Sequence, residues 1–331
     1  MKAAIATRYG SPEESLRVGD APKPRPDAGE VLIRVEAATV SAGDTEIRQM
    51  AFPWYFGLGL RAYFGFFRPR RPLILGQDLA GSVEAAGSGV TKFKPGDRVM
   101  AFTGLKLGGH AEYACLPADD DKHEYLVAPA PKGWSAAEAT TLPFAAFEAI
   151  FFVDKAGVKP GDEVLIVGGG GSIGTFAIQI ARARGARVTA VDRADKHAMM
   201  REIGADHVLD VGVRDYTESG ARQFDSVIGF TARTPFGRSV RSLRRGGVIV
   251  LANPWINLLI RGLIVRITSG KRLRLGAAGH APADLAKVEA LVADGALKPV
   301  IGETFALDDI VAAHRYAESV GKTGNVVLKI G

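Results

Sequence analysis

Gly169, Gly171 and Gly174 stand at G-x-G-x-x-G spacing, and a carboxylate, Asp192, follows the last glycine by 18 residues. A pyrophosphate is held by backbone N–H donors at the positive end of a helix dipole. A side chain at Gly169 or Gly171 would strain the turn or block the approach, and one at Gly174 would push helix from strand. Ser172 and Ile173 complete the turn. An acid closing the next strand accepts hydrogen bonds from adenosine ribose hydroxyls. Its neighbours set up a conflict. Asp192 repels a ribose 2′-phosphate and favours NADH, whereas Arg193 and Lys196 are cations that would accept that phosphate and admit NADPH. The balance of charge leans to NADH.

This chemistry requires strand, turn, helix, strand. Residues 164–167 are a short apolar, β-branched run, as in a strand buried on both faces of a parallel sheet. Residues 175–184 repeat apolar side chains at helical intervals, and Gly185 closes that helix. Further strands are expected at 207–211, 226–229 and 248–252, with a helix at 196–203. Alternating strands and helices imply right-handed crossovers and a doubly wound parallel sheet. Thr231, Ala252 and Asn253 follow later strands at the carboxyl edge, where ligands bind, and are further cofactor candidates.

The first third of the chain has a different texture. Residues 1–6 read as an edge strand, and residues 30–38 and 79–86 alternate apolar and polar residues as half-buried strands do. Gly/Pro turns separate these runs and those at 94–100 and 109–116, which predicts an antiparallel, barrel-like domain. Ser135 with Glu138 has capping-box spacing for a helix start. Helices are also expected at 282–294 and 308–319, with a closing strand at 325–330.

Residues 51–67 hold eight aromatics, against 16 Phe, 7 Tyr and 3 Trp in the whole chain. The stretch is interrupted by Arg61 and too short to span a bilayer. It is expected to cap an apolar or aromatic substrate with Trp54, Tyr55, Phe56 and Tyr63; an ordinary packed loop and a membrane- or partner-facing surface are the alternatives. Residues 256–267 are read as a buried domain-joining element, with a homodimer seam or a membrane contact as the alternatives.

The chain has 331 residues, net charge +6 and one cysteine, Cys115. Its length suggests two domains. One thiol excludes a disulfide framework and a thiolate metal cluster. The basic runs at 68–71, 241–245 and 271–274 come without a nucleic-acid motif, so neither nucleic acid nor membrane is expected as a partner. Without a leader-like N-terminus, a cytoplasmic location is expected.

Several phrases together resemble the medium-chain dehydrogenase/reductase superfamily: LGQDLAGSVEAAGSGV, FKPGDRVMAF, GGHAEYACLP, the glycine turn, IGADHVLD and the closing DGALKPVIGETFALDDIVAAHRYAESVGKTGNVVLKI. Within it, the chain is similar to the zinc-independent quinone oxidoreductase-like reductases. The resemblance implies an α/β chain with a GroES-like, barrel-like catalytic domain over residues 1–123. It further implies a Rossmann-type doubly wound sheet over 124–275, a return segment over 276–331, and an active site in the cleft between domains. Where zinc-dependent members carry a Cys and a Gly-His-Glu, this chain has Ser41 and Gly76-Gln77-Asp78, so no catalytic metal is expected. Without a Lewis acid, hydride transfer from NAD(P)H to an electron-poor quinone, enone or activated carbonyl is the chemistry implied.

The same resemblance points to the loop at 41–48 for the group that meets the developing oxyanion, where relatives often carry Asn and Tyr. Here Ser41 and Glu46 stand at those positions, with Asp44 between them as a third catalytic candidate. Asp44 is alternatively an ion-pair partner of Arg48. Phe147-Glu148 occupies a place where relatives often carry Thr near the nicotinamide; Glu148 is read as an ordinary helix residue, with a functional novelty as the alternative. Two other functions stand beside the reductase: a metal-independent alcohol dehydrogenase, and a dinucleotide-responsive protein that binds RNA or another partner.

Overall fold

The structure, a computed structural model, describes residues 1–122, 124–212, 224–231, 234–252, 256–276 and 278–331. It divides into two compact units: Met1–Phe144 with Ile301–Gly331, and Ala145–Val300.

The first unit opens with β1 (Lys2–Ala6), α1 (Pro12–Ser15), β2 (Leu16–Asp20) and the long β3 (Glu30–Thr39). Next come α2 (Ala42–Gln49), α3 (Trp54–Phe64), β4 (Leu73–Ile74), β5 (Asp78–Ala86), β6 (Arg98–Phe102), β7 (Tyr113–Pro117), β8 (Leu126–Pro129) and α4 (Ala136–Ala139). β1 is the centre of a three-stranded sheet, paired with β2 on one side and β4 on the other, not an edge strand. Its Ala3, Ala4 and Ala6 are buried, which explains the uninterrupted apolar run.

β3 organises the seven-stranded sheet. One side takes β5 along its length, and the other is shared between β7 at Glu30–Arg34 and β16 (Asn325–Lys329) at Ala37–Thr39. A strand serving three partners curves the sheet around a core that includes Ile33, Val35, Leu79, Val99 and Leu116. Gly81 permits that closeness, since a Cβ there would strike the Arg34 carbonyl of β3.

The second unit runs α5 (Ala145–Ala156), β9 (Glu163–Val167), α6 (Ser172–Ala183), β10 (Arg187–Asp192), α7 (His197–Glu202) and β11 (His207–Asp210). It continues with β12 (Phe224–Gly229), α8 (Phe236–Ser242), β13 (Leu243–Leu251), α9 (Ile256–Ser269), β14 (Arg272–Arg274) and α10 (Pro282–Ala293). Its six strands are all parallel, in the order β11-β10-β9-β12-β13-β14. Strand order reverses between β9 and β12, and a crevice opens at such a reversal beyond the carboxyl ends.

β15 (Ile301–Ala306) and α11 (Ile310–Glu318) precede β16 and return the chain to the first unit. The units therefore meet at 144/145 and 300/301, whereas the sequence placed the boundaries at 123/124 and 275/276. The physical reason is packing: α4 lies on β3, β5 and β16, while α10 lies on α5.

Two stretches depart from expectation. Residues 51–67 are largely helical, although Gly57 and Gly59 weaken the helix and its apolar residues run all round it. α9 is buried on one side only: Leu258 joins the core and the helix leans on β14 through Gly262, where a Cβ would meet the Leu273 side chain at 2.6 Å, while Ile260, Leu263, Ile264 and Ile267 are exposed.

Candidate functional site

The turn between β9 and α6 lies at the point of strand reversal. Gly168, just ahead of the motif, is the residue in the left-handed region, at φ +86°. A Cβ there would also come within 2.6 Å of the Thr231 methyl. The Gly168 and Gly169 N–H groups both donate to the Val191 carbonyl, at 2.9 and 3.2 Å, which ties the turn to the end of β10. Gly169 is crowded, with Ala190 Cβ and Met200 Sδ each 3.0 Å from a Cβ position. At Gly174 a Cβ would collide with the Gly168 carbonyl, so this glycine holds helix against strand as expected.

Gly171 differs from the strain expected of it. It has ordinary extended backbone at φ −85°, and its Cβ position meets only the Gly168 carbonyl at 3.5 Å. As the N-cap of α6 it offers no side chain to the first-turn N–H groups. Those donors, with the helix dipole behind them, are what an anion needs. The cradle fits a dinucleotide's pyrophosphate, and Gly171, Ser172, Ile173 and Gly174 are the residues that would hold it.

Asp192 closes β10 and does more than face a ribose. Its Oδ2 accepts from the Gly170 N–H at 2.9 Å, its Oδ1 accepts from the Arg193 N–H at 2.9 Å, and Lys196 Nζ lies 3.2 Å from Oδ1. Lys196 is buried, and its stem crosses Gly170 so closely that a Cβ there would collide with it. Asp192 and Lys196 therefore brace the glycine turn from beneath, each neutralising the other. Arg193 is exposed and turned toward Asp195, 3.4 Å away. Past the edge, the Phe230 N–H donates to the Val167 carbonyl at 3.0 Å and the Ala252 N–H to Gly229 at 3.0 Å, which sets Thr231 and Ala252 over the crevice. Asn253 lies outside the described residues.

The three catalytic candidates of the first unit fare differently. Ser41 is the N-cap of α2, and its hydroxyl accepts from the Asp44 N–H at 3.1 Å. Asp44 answers as the other half of a capping box, accepting from the Ser41 N–H and hydroxyl at 2.8 and 2.7 Å. Its second oxygen takes the Gly76 N–H at 2.9 Å. Asp44 is wholly buried and not paired with Arg48, whose guanidinium reaches Glu318 and the Gly10 carbonyl instead. These bonds position the loop and leave neither residue a free oxygen lone pair aimed at solvent. Glu46 is exposed, has no hydrogen-bond partner among the described residues, and its carboxyl is raised by surrounding protein.

The donor set does not suit zinc. Ser41 is committed to its cap, and Asp78 is enclosed, accepts from the Thr39 hydroxyl at 2.7 Å, and has its pKa driven well up by burial. His110 Nε2 donates to the Thr39 carbonyl at 2.8 Å. Among the described residues no three His, Cys, Asp or Glu side chains converge.

Glu148 is the residue sequence reasoning set aside. It sits in the first turn of α5, half-buried, without a hydrogen-bond partner among the described residues, and burial pushes its carboxyl up to about 7. It shares a helix face with Phe152, one turn on. The Phe152 ring packs edge-on against Phe230, 5.7 Å away, immediately beyond β12. Glu148 is thereby set one turn above a ring already at the carboxyl edge. The signal was present: a lone acid whose i±3 and i±4 neighbours, Ala145, Phe144, Phe151 and Phe152, offer no cation.

The substrate candidates lie on α3. Trp54 is 81% exposed, and Phe56 and Tyr63 are each 58% exposed, while Gly57, Leu60 and Phe64 form the buried face. Tyr55 stands between, its ring 5.9 Å from Trp54.

Residues 27–128 match the family of alcohol dehydrogenase GroES-like domains, and residues 203–328 match that of zinc-binding dehydrogenases. The chain is 30% identical to a quinone oxidoreductase of Lama guanicoe, over 99% of this chain and 97% of that protein. It is 27% identical to an acryloyl-coenzyme A reductase of Sulfurisphaera tokodaii, over 99% of this chain and 100% of that one. A mycobacterial protein solved in complex with NADPH superposes with a TM-score of 0.82 at 26% identity, covering 99% of this chain and 100% of that one.

Proposed function

The chain belongs to the medium-chain dehydrogenase/reductase superfamily, in its quinone oxidoreductase-like branch, and is an NAD(P)H-dependent oxidoreductase; on that premise we propose that it reduces an apolar, electron-poor quinone or enone without zinc. The observation that carries this reading is the glycine turn at the point of strand reversal, with a glycine N-cap on α6, joined to a donor set unsuited to a metal among the described residues. The nicotinamide supplies a hydride when bound. The protein's part is to hold the pyrophosphate on α6, to keep the reacting edge apolar through Phe152 and Phe230, and to supply a proton. We assign the proton to the Glu148 carboxyl, which burial pushes up to about 7 so that about half of it carries a proton at neutral pH. Glu46 is the remaining candidate from the first unit, whereas Ser41 and Asp44 serve by shaping the loop.

An acceptor that is already electron-poor needs a positioned donor more than a Lewis acid. The names of two relatives, a quinone oxidoreductase and an acryloyl-coenzyme A reductase, fit that chemistry. The Asp192–Lys196 pair keeps both cofactors in play. Asp192 favours the free ribose of NADH, and a 2′-phosphate would have to draw Lys196 or Arg193 away from its present acid.

The test is a titration with NADH and with NADPH, followed by oxidation of the preferred one against a quinone, an enone and an alcohol–aldehyde pair, with and without chelator. Chelator-insensitive reduction of the quinone or enone is expected. Activity abolished by chelator and restored by zinc would overturn the metal-free reading, and turnover confined to the alcohol would favour a dehydrogenase.

A further inference from the structure

Residues 47–77 contain five arginines and no Asp or Glu. Arg48 lies inside, on Glu318, and Arg61 is folded back on the Phe66 carbonyl and lies 5.8 Å from the Tyr9 ring. Arg68, Arg70 and Arg71 are exposed, and none has an ion-pair partner among the described residues. They line a cleft of about 600 Å³ with Thr7, Phe66 and Phe67.

Beside this cationic cleft the chain exposes large apolar side chains that a protein in water ordinarily buries. Phe67 is 96% and Trp54 is 81% exposed, and Phe56, Leu58 and Tyr63 exceed half. The face is anchored, because Gly57, Leu60 and Phe64 root α3 in the unit below it. With 11 residues, α3 is far too short to cross a bilayer. A helix with Trp, Phe and Leu outward and arginines along its border is suited to lie in a membrane interface.

We propose that the outer face of α3 and the Phe66–Arg71 turn form a docking surface for an anionic lipid bilayer, with the aromatic side chains in the interface and lipid phosphates in the arginine cleft. Charge decides against a second copy of the chain. A two-fold interface sets the same patch against itself, and the run 47–77 that forms this patch brings arginines to it and no acid. A partner must be apolar and anionic together, which an acidic lipid surface is. Docking stands independently of the reductase reading. If both hold, it brings the enzyme to the phase in which an apolar acceptor dissolves.

The experiment mixes the full-length chain, without cofactor or substrate, with phosphatidylcholine vesicles with and without phosphatidylglycerol. Co-sedimentation and tryptophan emission are read, and Trp54→Phe identifies the Trp54 signal. Binding to the anionic vesicles is expected, with a blue-shifted Trp54 emission that weakens as salt is raised. The Arg68→Gln/Arg70→Gln/Arg71→Gln variant and the Leu58→Ser/Phe67→Ser variant should each lose roughly tenfold or more in partitioning. Unchanged thermal transitions and NADPH titrations serve as the control on folding. Absence of vesicle binding at low salt, equal binding to both vesicle types, or a concentration-dependent dimer that Leu58→Ser/Phe67→Ser abolishes would each overturn the proposal. Because cofactor binding is measured separately, a failure of docking is distinguishable from a failure of the reductase reading.

Discussion

Replacing Glu148 by Gln keeps the shape of the protonated side chain and removes its charge. The carboxyl moves from a reference value of 4.5 to about 7 because burial penalises the anion. In the unfolded chain it keeps the reference value, so between pH 4.5 and about 7 the folded state binds the extra proton. Stability due to this group is therefore full below pH 4.5 and is lost as pH rises through about 7. The gap corresponds to roughly 3 kcal/mol at most, and less where the half-buried side chain can swing toward water. Urea unfolding of wild type and Glu148→Gln at about pH 5 and pH 8 measures it. The variants should match at the lower pH, and Glu148→Gln should be the more stable at the higher. In turnover, wild-type kcat should fall above neutral pH, and the variant should lose both activity and that titration. Equal pH slopes of stability in the two proteins would refute the claim that Glu148 is held protonated.

Gly171→Ala should fold with its melting temperature unchanged, since its Cβ meets nothing closer than 3.5 Å, yet weaken NAD(P)H binding about tenfold by blocking the pyrophosphate. Gly174→Ala should instead cost about 1–3 kcal/mol of stability, because its Cβ strikes a backbone carbonyl that cannot retreat; denaturant midpoints separate the two. Asp192→Asn should raise the NADPH-to-NADH affinity ratio about tenfold by removing the charge that repels a 2′-phosphate, as read by fluorescence titration. Glu318→Gln should destabilise by about 2 kcal/mol, since the wholly buried Arg48 loses its carboxylate, and adding Arg48→Met should restore part of the loss.

The glycine turn and its flanking strands were legible because a phosphate cradle constrains residue type at fixed spacing. The parallel sheet followed from apolar runs alternating with helical periods. Three features resisted for physical reasons. Residues 51–67 lack an apolar period because α3 buries one face and leaves an equally apolar face exposed, so no moment marks the helix. β1 looks like an edge strand, since its pairing with β2 and β4 depends on contacts as distant as Ile5 with Ile74. The boundary at 144/145 is set by where α4 packs, which no composition change announces.

The site shows a sharper division. Ser41 and Asp44 attracted a catalytic reading by location alone, because they are placed where relatives act. Yet Ser-x-x-Asp ahead of a helix is the same capping-box signal that located Ser135 and Glu138, and in both places the structure forms the reciprocal pair. Glu148 was read first as an ordinary helix residue, because an acid in a helix is ordinarily solvated. What distinguishes it is unmet electrostatic need. Asp44 accepts from three donors and holds a loop, while Glu148 has no hydrogen-bond partner among the described residues and its carboxyl is pushed up to about 7. A carboxyl that can give up a proton at working pH is one the fold has left unsatisfied, and by that criterion the proposed proton donor is Glu148 on α5 rather than the acid at the cap of α2.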